Sequence, residues 1–301
     1  MKFSLVIAIT VALPIAMLAA LTGCGRSVQA GPEPNMVAAL KIRAGFSAAA
    51  PTAKTPGGDA GGGAELKRLE GWASVKGRFV VDGAAPTRTP LNIDKDQAVC
   101  GNHDLFNESV VVNGKSIANV VIYVRTPKIP IHDDYKQSAA AQVPVDNKNC
   151  RFEPHVSNIR VGQTLVVHNS DPVAHNTNIA GKKLQANPLI PSNGSVEFKV
   201  EDTESTPVSL SCNIHPWMRG RLVVTSNPYC AVSKEDGTFE LKNLPAGELE
   251  LQIWQEAAEN LEVSIPKLQK TGAGRYKISL QPKEELNLND IVVAAAALQA
   301  G

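Results

Sequence analysis

The stretch Cys212-Asn213-Ile214-His215-Pro216-Trp217-Met218 decides how the rest of this chain is read. It offers a thiolate, an imidazole and a thioether at successive spacings of three residues. Just before it, Val208, Leu210 and Cys212 alternate with Ser209 and Ser211, the period-two pattern of a half-buried strand. That alternation puts Cys212 on the apolar, inward face. The chain then enters a turn, in which His215 and Met218 can fold back towards the sulfur. A second imidazole is available from His175, in Pro172-Val173-Ala174-His175-Asn176, a turn that follows the apolar run 165–169.

Cys and Met are soft donors and His is intermediate. Two His and one Cys in a trigonal set, with a weak axial Met, form the arrangement of a mononuclear blue copper electron-transfer site. His175, Cys212, His215 and Met218 are therefore the expected ligands of one copper ion. Zinc also accepts His and Cys, but a Met in the fourth position suits it less well. A buried free thiol in a domain that has lost its metal is the bland alternative. Haem attachment is disfavoured because the chain has no Cys-x-x-Cys-His. A binuclear copper centre would need a second Cys in the loop. Four protein ligands leave no open position for a substrate, so an enzyme is not expected.

The same residues resemble the copper loop of the cupredoxin family, most closely its amicyanin-type members with the short Cys-x2-His-x2-Met spacing. The resemblance extends through His215-Pro216-Trp217-Met218-Arg219-Gly220 into the run Arg221-Leu222-Val223-Val224. Upstream it covers Phe152-Glu153-Pro154, Val161-Gly162, residues 165–169 and the pair His175-Asn176. It implies the same four ligands and gives Asn176 the task of tying the two ligand loops together by hydrogen bonds. It also implies that the His215 ring edge lies near the surface as the electron port, with Pro216 and Trp217 around it as partner-docking surface. The partners it implies are redox proteins such as a periplasmic dehydrogenase and a c-type cytochrome. Copper storage or delivery, and a cell-surface binding sandwich with a vestigial site, are the competing functions. His103 and His132 are read as solvated loop residues, and His155 and His168, on or near strands, as core or edge residues.

Outward from this centre the texture is β throughout. Residues 75–81, 110–113, 120–124, 196–200, 239–241, 249–254 and 276–280 are short apolar or alternating runs. Turn residues separate them: Asp82-Gly83, Asn113-Gly114, Pro191-Ser192-Asn193-Gly194, Glu235-Asp236-Gly237 and Pro245-Ala246-Gly247. The expected class is all-β, a sandwich or barrel built of short strands. The cupredoxin Greek-key sandwich is assigned to residues 143–226. Residues 227–285, with Asp236-Gly237-Thr238-Phe239 and Leu244-Pro245-Ala246-Gly247, resemble a carboxypeptidase regulatory-like, transthyretin-type sandwich. Residues 71–142 form an N-terminal β region whose first strand resembles the opening of the same module. Two arrangements stay open: a cupredoxin inserted into one small sandwich, or three parts in series. Residues 286–301 are Ala-rich and are expected to be a tail, either a frayed helix or unstructured.

The chain has 301 residues, 30 Lys+Arg against 29 Asp+Glu, and only 14 aromatic residues among 23 Gly and 20 Pro. A net charge of +1 offers no basic footprint for nucleic acid. Residues 1–23 read as an export signal, with Lys2 ahead of an uncharged run broken by Pro14. Leu21-Thr22-Gly23-Cys24 resembles a bacterial lipobox, which implies lipidation of Cys24 and a protein held at a membrane on the extracytoplasmic side, in the periplasm or at the cell surface. Residues 24–70, rich in Ala, Gly and Pro, read as a flexible tether. With Cys24 assigned to lipid and Cys212 to metal, three cysteines remain. The expected pair is Cys100 with Cys150, flanking the hairpin region, and Cys230 is left as a free thiol.

Overall fold

The structure, a computed structural model, describes residues 67–299; the export signal, Cys24 and nearly all of the tether lie outside the described residues. Strands dominate, with only one-turn helical pieces between them, and the class is all-β. Among the described residues no helix is long and apolar enough to cross a membrane.

Residues from both ends of the described chain share one sheet. Strand Arg68–Asp82 pairs antiparallel with Thr238–Gln255 and parallel with Glu285–Ala294. Thr238–Gln255 in turn pairs with Val121–Val124 and with Arg275–Leu280, and Val121–Val124 pairs with Cys230–Val232. The segments before and after residues 142–225 thus build a single sheet around one apolar core. Phe79, Ile117, Ile122, Leu251, Ile253, Tyr276 and Leu286 meet in that core.

Four sequence-based expectations change here. The first strand begins at Arg68, so the last residues assigned to the tether are already sheet. Asn113-Gly114 does turn a hairpin, with Gly114 at φ +62°, but the partner of Val111–Asn113 is Ser116–Ala118. Val121–Val124 lies elsewhere in the sheet. Pro245-Ala246-Gly247 is not a turn between two strands but an irregularity within one 18-residue strand. Gly247 adopts φ +109° there, and a Cβ would come within 2.3 Å of the Lys67 carbonyl oxygen. Finally, most of the segment 286–301 is not a tail. Leu286, Leu288, Ile291 and Val293 are buried against the first strand, and only Ala295–Leu298 turns into a short 3₁₀ helix.

Residues 142–225 form a second pair of facing sheets. One runs in the order Gln185–Ala186, Asn178–Ala180, Val208–Ser211, Arg219–Thr225, Val156–Arg160. The other runs Ser195–Lys199, Thr164–Asn169, Gln142–Lys148, Arg151–Glu153. Leu165, Val167, Val145 and Phe152 from the second sheet pack on Ile159, Ile179, Leu210, Leu222 and Val224 from the first. A core filled alternately from two inner faces is what makes this part a sandwich. The two β assemblies touch through a small apolar cluster, in which Val121 and Trp254 meet Val156 and Val223.

Candidate metal centre

The inward alternation of Val208, Leu210 and Cys212 holds: all three side chains lie in the core of the second sandwich. At Ser211 the strand ends, and a tight turn follows in which Met218 N–H donates to the His215 carbonyl and Cys212 N–H to the Met218 carbonyl. That closure brings His215 back beneath Cys212, so the His215 backbone N–H donates to Cys212 Sγ at 3.4 Å. His175 arrives from a two-residue strand, His175–Asn176, paired with Leu189–Ile190.

The three donors converge. Cys212 Sγ lies 4.0 Å from His175 Nδ1 and 3.7 Å from His215 Nδ1, and the two Nδ1 atoms are 2.8 Å apart. A point equidistant from the three is about 2.1 Å from each, near the roughly 2.0–2.3 Å that a first-row metal ion takes with imidazole and thiolate. His175 and His215 are fully buried and Cys212 nearly so. The donor set and its spacing fit one copper or zinc ion. Met218 is buried in the same core at the end of the same turn.

Each imidazole is held from behind by a carboxylate. His175 Nε2 is 2.9 Å from Asp171 Oδ2, and His215 Nε2 is 2.7 Å from Asp96 Oδ2. Burial works against charge on His175, but hydrogen bonds to Asp171 and Cys212 outweigh it and raise the ring from 6.5 to about 9. Burial holds His215 below its usual value, with His175 beside it adding to the effect and Asp96 opposing it. Burial alone would raise the Cys212 thiol. Hydrogen bonds from His175 and from backbone amides around the turn bring it below its usual value. The two Nδ1 atoms are close enough to share one proton in the metal-free site, and each Nε2 faces a carboxylate. A metal ion would take the place of that bridging proton.

Asn176 bridges the two loops. Its Oδ1 accepts the backbone N–H groups of Asn213 and Ile214 at 2.8 and 3.2 Å and lies 3.4 Å from Cys212 Sγ. Its Nδ2 donates to Asn187 Oδ1. Cys100 and Cys150 are joined in a disulfide, and Cys230 is a free thiol that burial pushes up to about 12. Pro216 is exposed, while Trp217 is half-buried, packs against the His215 ring and donates Nε1–H to the Cys150 carbonyl.

Two expectations about histidines need correction. The His215 ring edge is not at the surface: the side chain is fully buried and Asp96 covers its Nε2. The segment bearing Asp96 lies over the place where a bare port would be. His132 is not simply solvated either, since its ring meets Trp72 edge-on and its Nδ1 accepts the Asp134 N–H. His155 is buried with Nε2 2.6 Å from Glu256, and His168 points outward from its strand; neither joins the donor cluster.

Sequence reasoning did not find Asp171 or Asp96. Asp171 carried a usable signal, four residues before His175 inside the turn Asn169-Ser170-Asp171-Pro172. Asp96 carried none beyond its nearness to Cys100.

No family model and no curated protein sequence matches the chain. Among solved structures, a Cu(I) amicyanin variant is similar at 23% identity, over 28% of this chain and 81% of that one, with a TM-score of 0.25. A purple cupredoxin from Nitrosopumilus maritimus is similar at 26% identity over 28% of this chain and 98% of its own, with a TM-score of 0.24. A reduced amicyanin variant is similar at 21% identity over 34% and 97%, with a TM-score of 0.25.

Proposed function

We propose that this chain is a blue copper protein that passes single electrons between redox partners. The observation that carries the reading is the buried triangle of two Nδ1 atoms and one thiolate sulfur, sized for one ion. Copper bound there would be held by His175, Cys212 and His215, with the Met218 thioether as a further candidate donor, and would supply a one-electron couple between Cu(I) and Cu(II). The chain's own residues keep the donors still. Asp171 fixes the His175 ring, Asn176 clamps the Cys212–His215 turn, and the core under Leu210 holds the strand. A cage that moves little on electron gain or loss has a low reorganisation cost. The core around Cys212 excludes water, so the thiolate is shielded from competing oxidation.

The reading places the protein outside the cytoplasm, held at a membrane by lipid on Cys24. The Cys100–Cys150 disulfide supports an oxidising compartment. Redox proteins such as a periplasmic dehydrogenase and a c-type cytochrome are the proposed partners. Pro216 and Trp217 border an open cleft with Phe106, Arg88 and Arg219. No catalytic step belongs to the reading. Protein-film voltammetry on the copper-loaded chain tests it: a reversible one-electron wave that survives repeated cycling without copper loss is expected. Copper that leaves on each reduction would support storage or delivery instead.

A further inference from the structure

Residues 89–107 make a loop that closes on itself. Asn107 N–H donates to the Thr89 carbonyl at 2.8 Å and Leu91 N–H to the Leu105 carbonyl at 2.9 Å, which forms a neck. Inside it, Gln97 Nε2 donates to the Ile93 carbonyl and Asn102 Nδ2 to the Ala98 carbonyl. Cys100 pins the loop to Cys150, whose own N–H donates to Asp171 Oδ2, the oxygen that also holds His175. Asp96 adopts the left-handed conformation, φ 45° and ψ 41°, which Asp tolerates better than most residues. Its Oδ2 is 2.7 Å from His215 Nε2, across 119 residues of sequence.

We propose that Asp96 is a positioning residue of the metal centre, delivered from outside the second sandwich by a disulfide-pinned loop. The inference rests on the metal-site reading above and names a residue that the reading does not require. A neutral imidazole carries one proton. Holding it on Nε2 leaves Nδ1 bare and aimed at the site, and fixes the ring plane. The carboxylate also pushes electron density into the ring, which makes Nδ1 a stronger donor and favours Cu(II) over Cu(I). The same contact closes the ring edge to solvent.

Nitrogen-15 histidine NMR on the metal-free full chain, paired with copper affinity and redox titrations, tests this in wild type, Asp96→Ala and Asp96→Glu. Wild type should show His215 as the Nε2–H tautomer with a slowly exchanging proton. Asp96→Ala should lose the slow exchange, bind copper about 10- to 100-fold more weakly and show a higher reduction potential. Asp96→Glu should restore all three at least in part. A backbone amide spectrum unchanged away from residues 89–107 and from the neighbourhood of His175 and residues 212–218 confirms that the fold is intact. A wild-type Nδ1–H tautomer, or an Asp96→Ala variant unchanged in exchange, affinity and potential, overturns the proposal. If the tautomer behaves as expected but no copper thiolate band forms, the copper reading fails and the positioning role stands.

Discussion

Asp171 and His175 are four residues apart, and the carboxylate of the first lies 2.9 Å from Nε2 of the second with both side chains buried. The same carboxylate accepts the backbone N–H groups of Asn149 and Cys150, so it is anchored before it meets the ring. The pair has a consequence for pH. A histidine raised from 6.5 to about 9 stabilises the folded metal-free chain fully below 6.5, and that contribution is lost as pH climbs through 9. The shift corresponds to about 3 kcal/mol. Thermal midpoints of the metal-free chain should therefore fall between pH 6.5 and 9, and Asp171→Asn should flatten the profile. A wild-type profile that is already flat would contradict the raised His175.

Asn176→Ala tests the clamp. It leaves the Asn213 and Ile214 N–H groups without their acceptor, at about 1–3 kcal/mol for each group that stays buried. The expected result is a lower melting temperature together with a broadened copper spectrum, because the Cys212–His215 turn is no longer held to the His175 loop. Loss of stability with an unaltered spectrum would reduce Asn176 to a structural role.

Leu210→Ala is the matched core change. Leu210 is buried in the core, on the strand that leads to Cys212, and is not itself a donor. It should cost about 2–5 kcal/mol in denaturant unfolding and leave the visible spectrum of loaded protein in place. A spectrum that collapses with this substitution would mean that packing, and not the surrounding hydrogen bonds, sets the donor geometry.

The Cys100–Cys150 bond closes a loop of 50 residues, which the chain-entropy account values at about 4 kcal/mol. Replacing both cysteines by serine should lower stability by an amount of that order. It should also open residues 90–106 to proteases while the rest of the described chain resists. Equal protection of that segment in the variant would show that the neck alone holds it.

How much of this was legible in the sequence can be argued residue by residue. The convergence of Cys212 and His215, with Met218 at the end of the same turn, was legible because the three lie in one short loop, and residues 208–212 show their inward face by alternation. His175 was visible because an apolar strand and a turn precede it. The strand Glu285–Ala294 was hidden by a break in its own pattern. Leu286 and Leu288 point inward, then Asn289 takes φ 56° and the pairing register shifts. Ile291 and Val293 therefore resume the inward face one residue late. The alanines beyond them suggested a helix. Asp96 was hidden for a different reason. A contact made across 119 residues leaves no local periodicity, and only the disulfide beside it shows where its loop is held.

The most direct measurement is the visible absorption spectrum of the Cu(II)-loaded full chain beside that of Cys212→Ser. A short, covalent thiolate–copper bond from Cys212, in copper that His175 and His215 would also hold, should give an intense band towards the red end of the visible at one copper per chain. Cys212→Ser should abolish it while leaving the fold intact. Colourless wild-type protein, or a Cys212→Ser variant with the same band, would contradict the account.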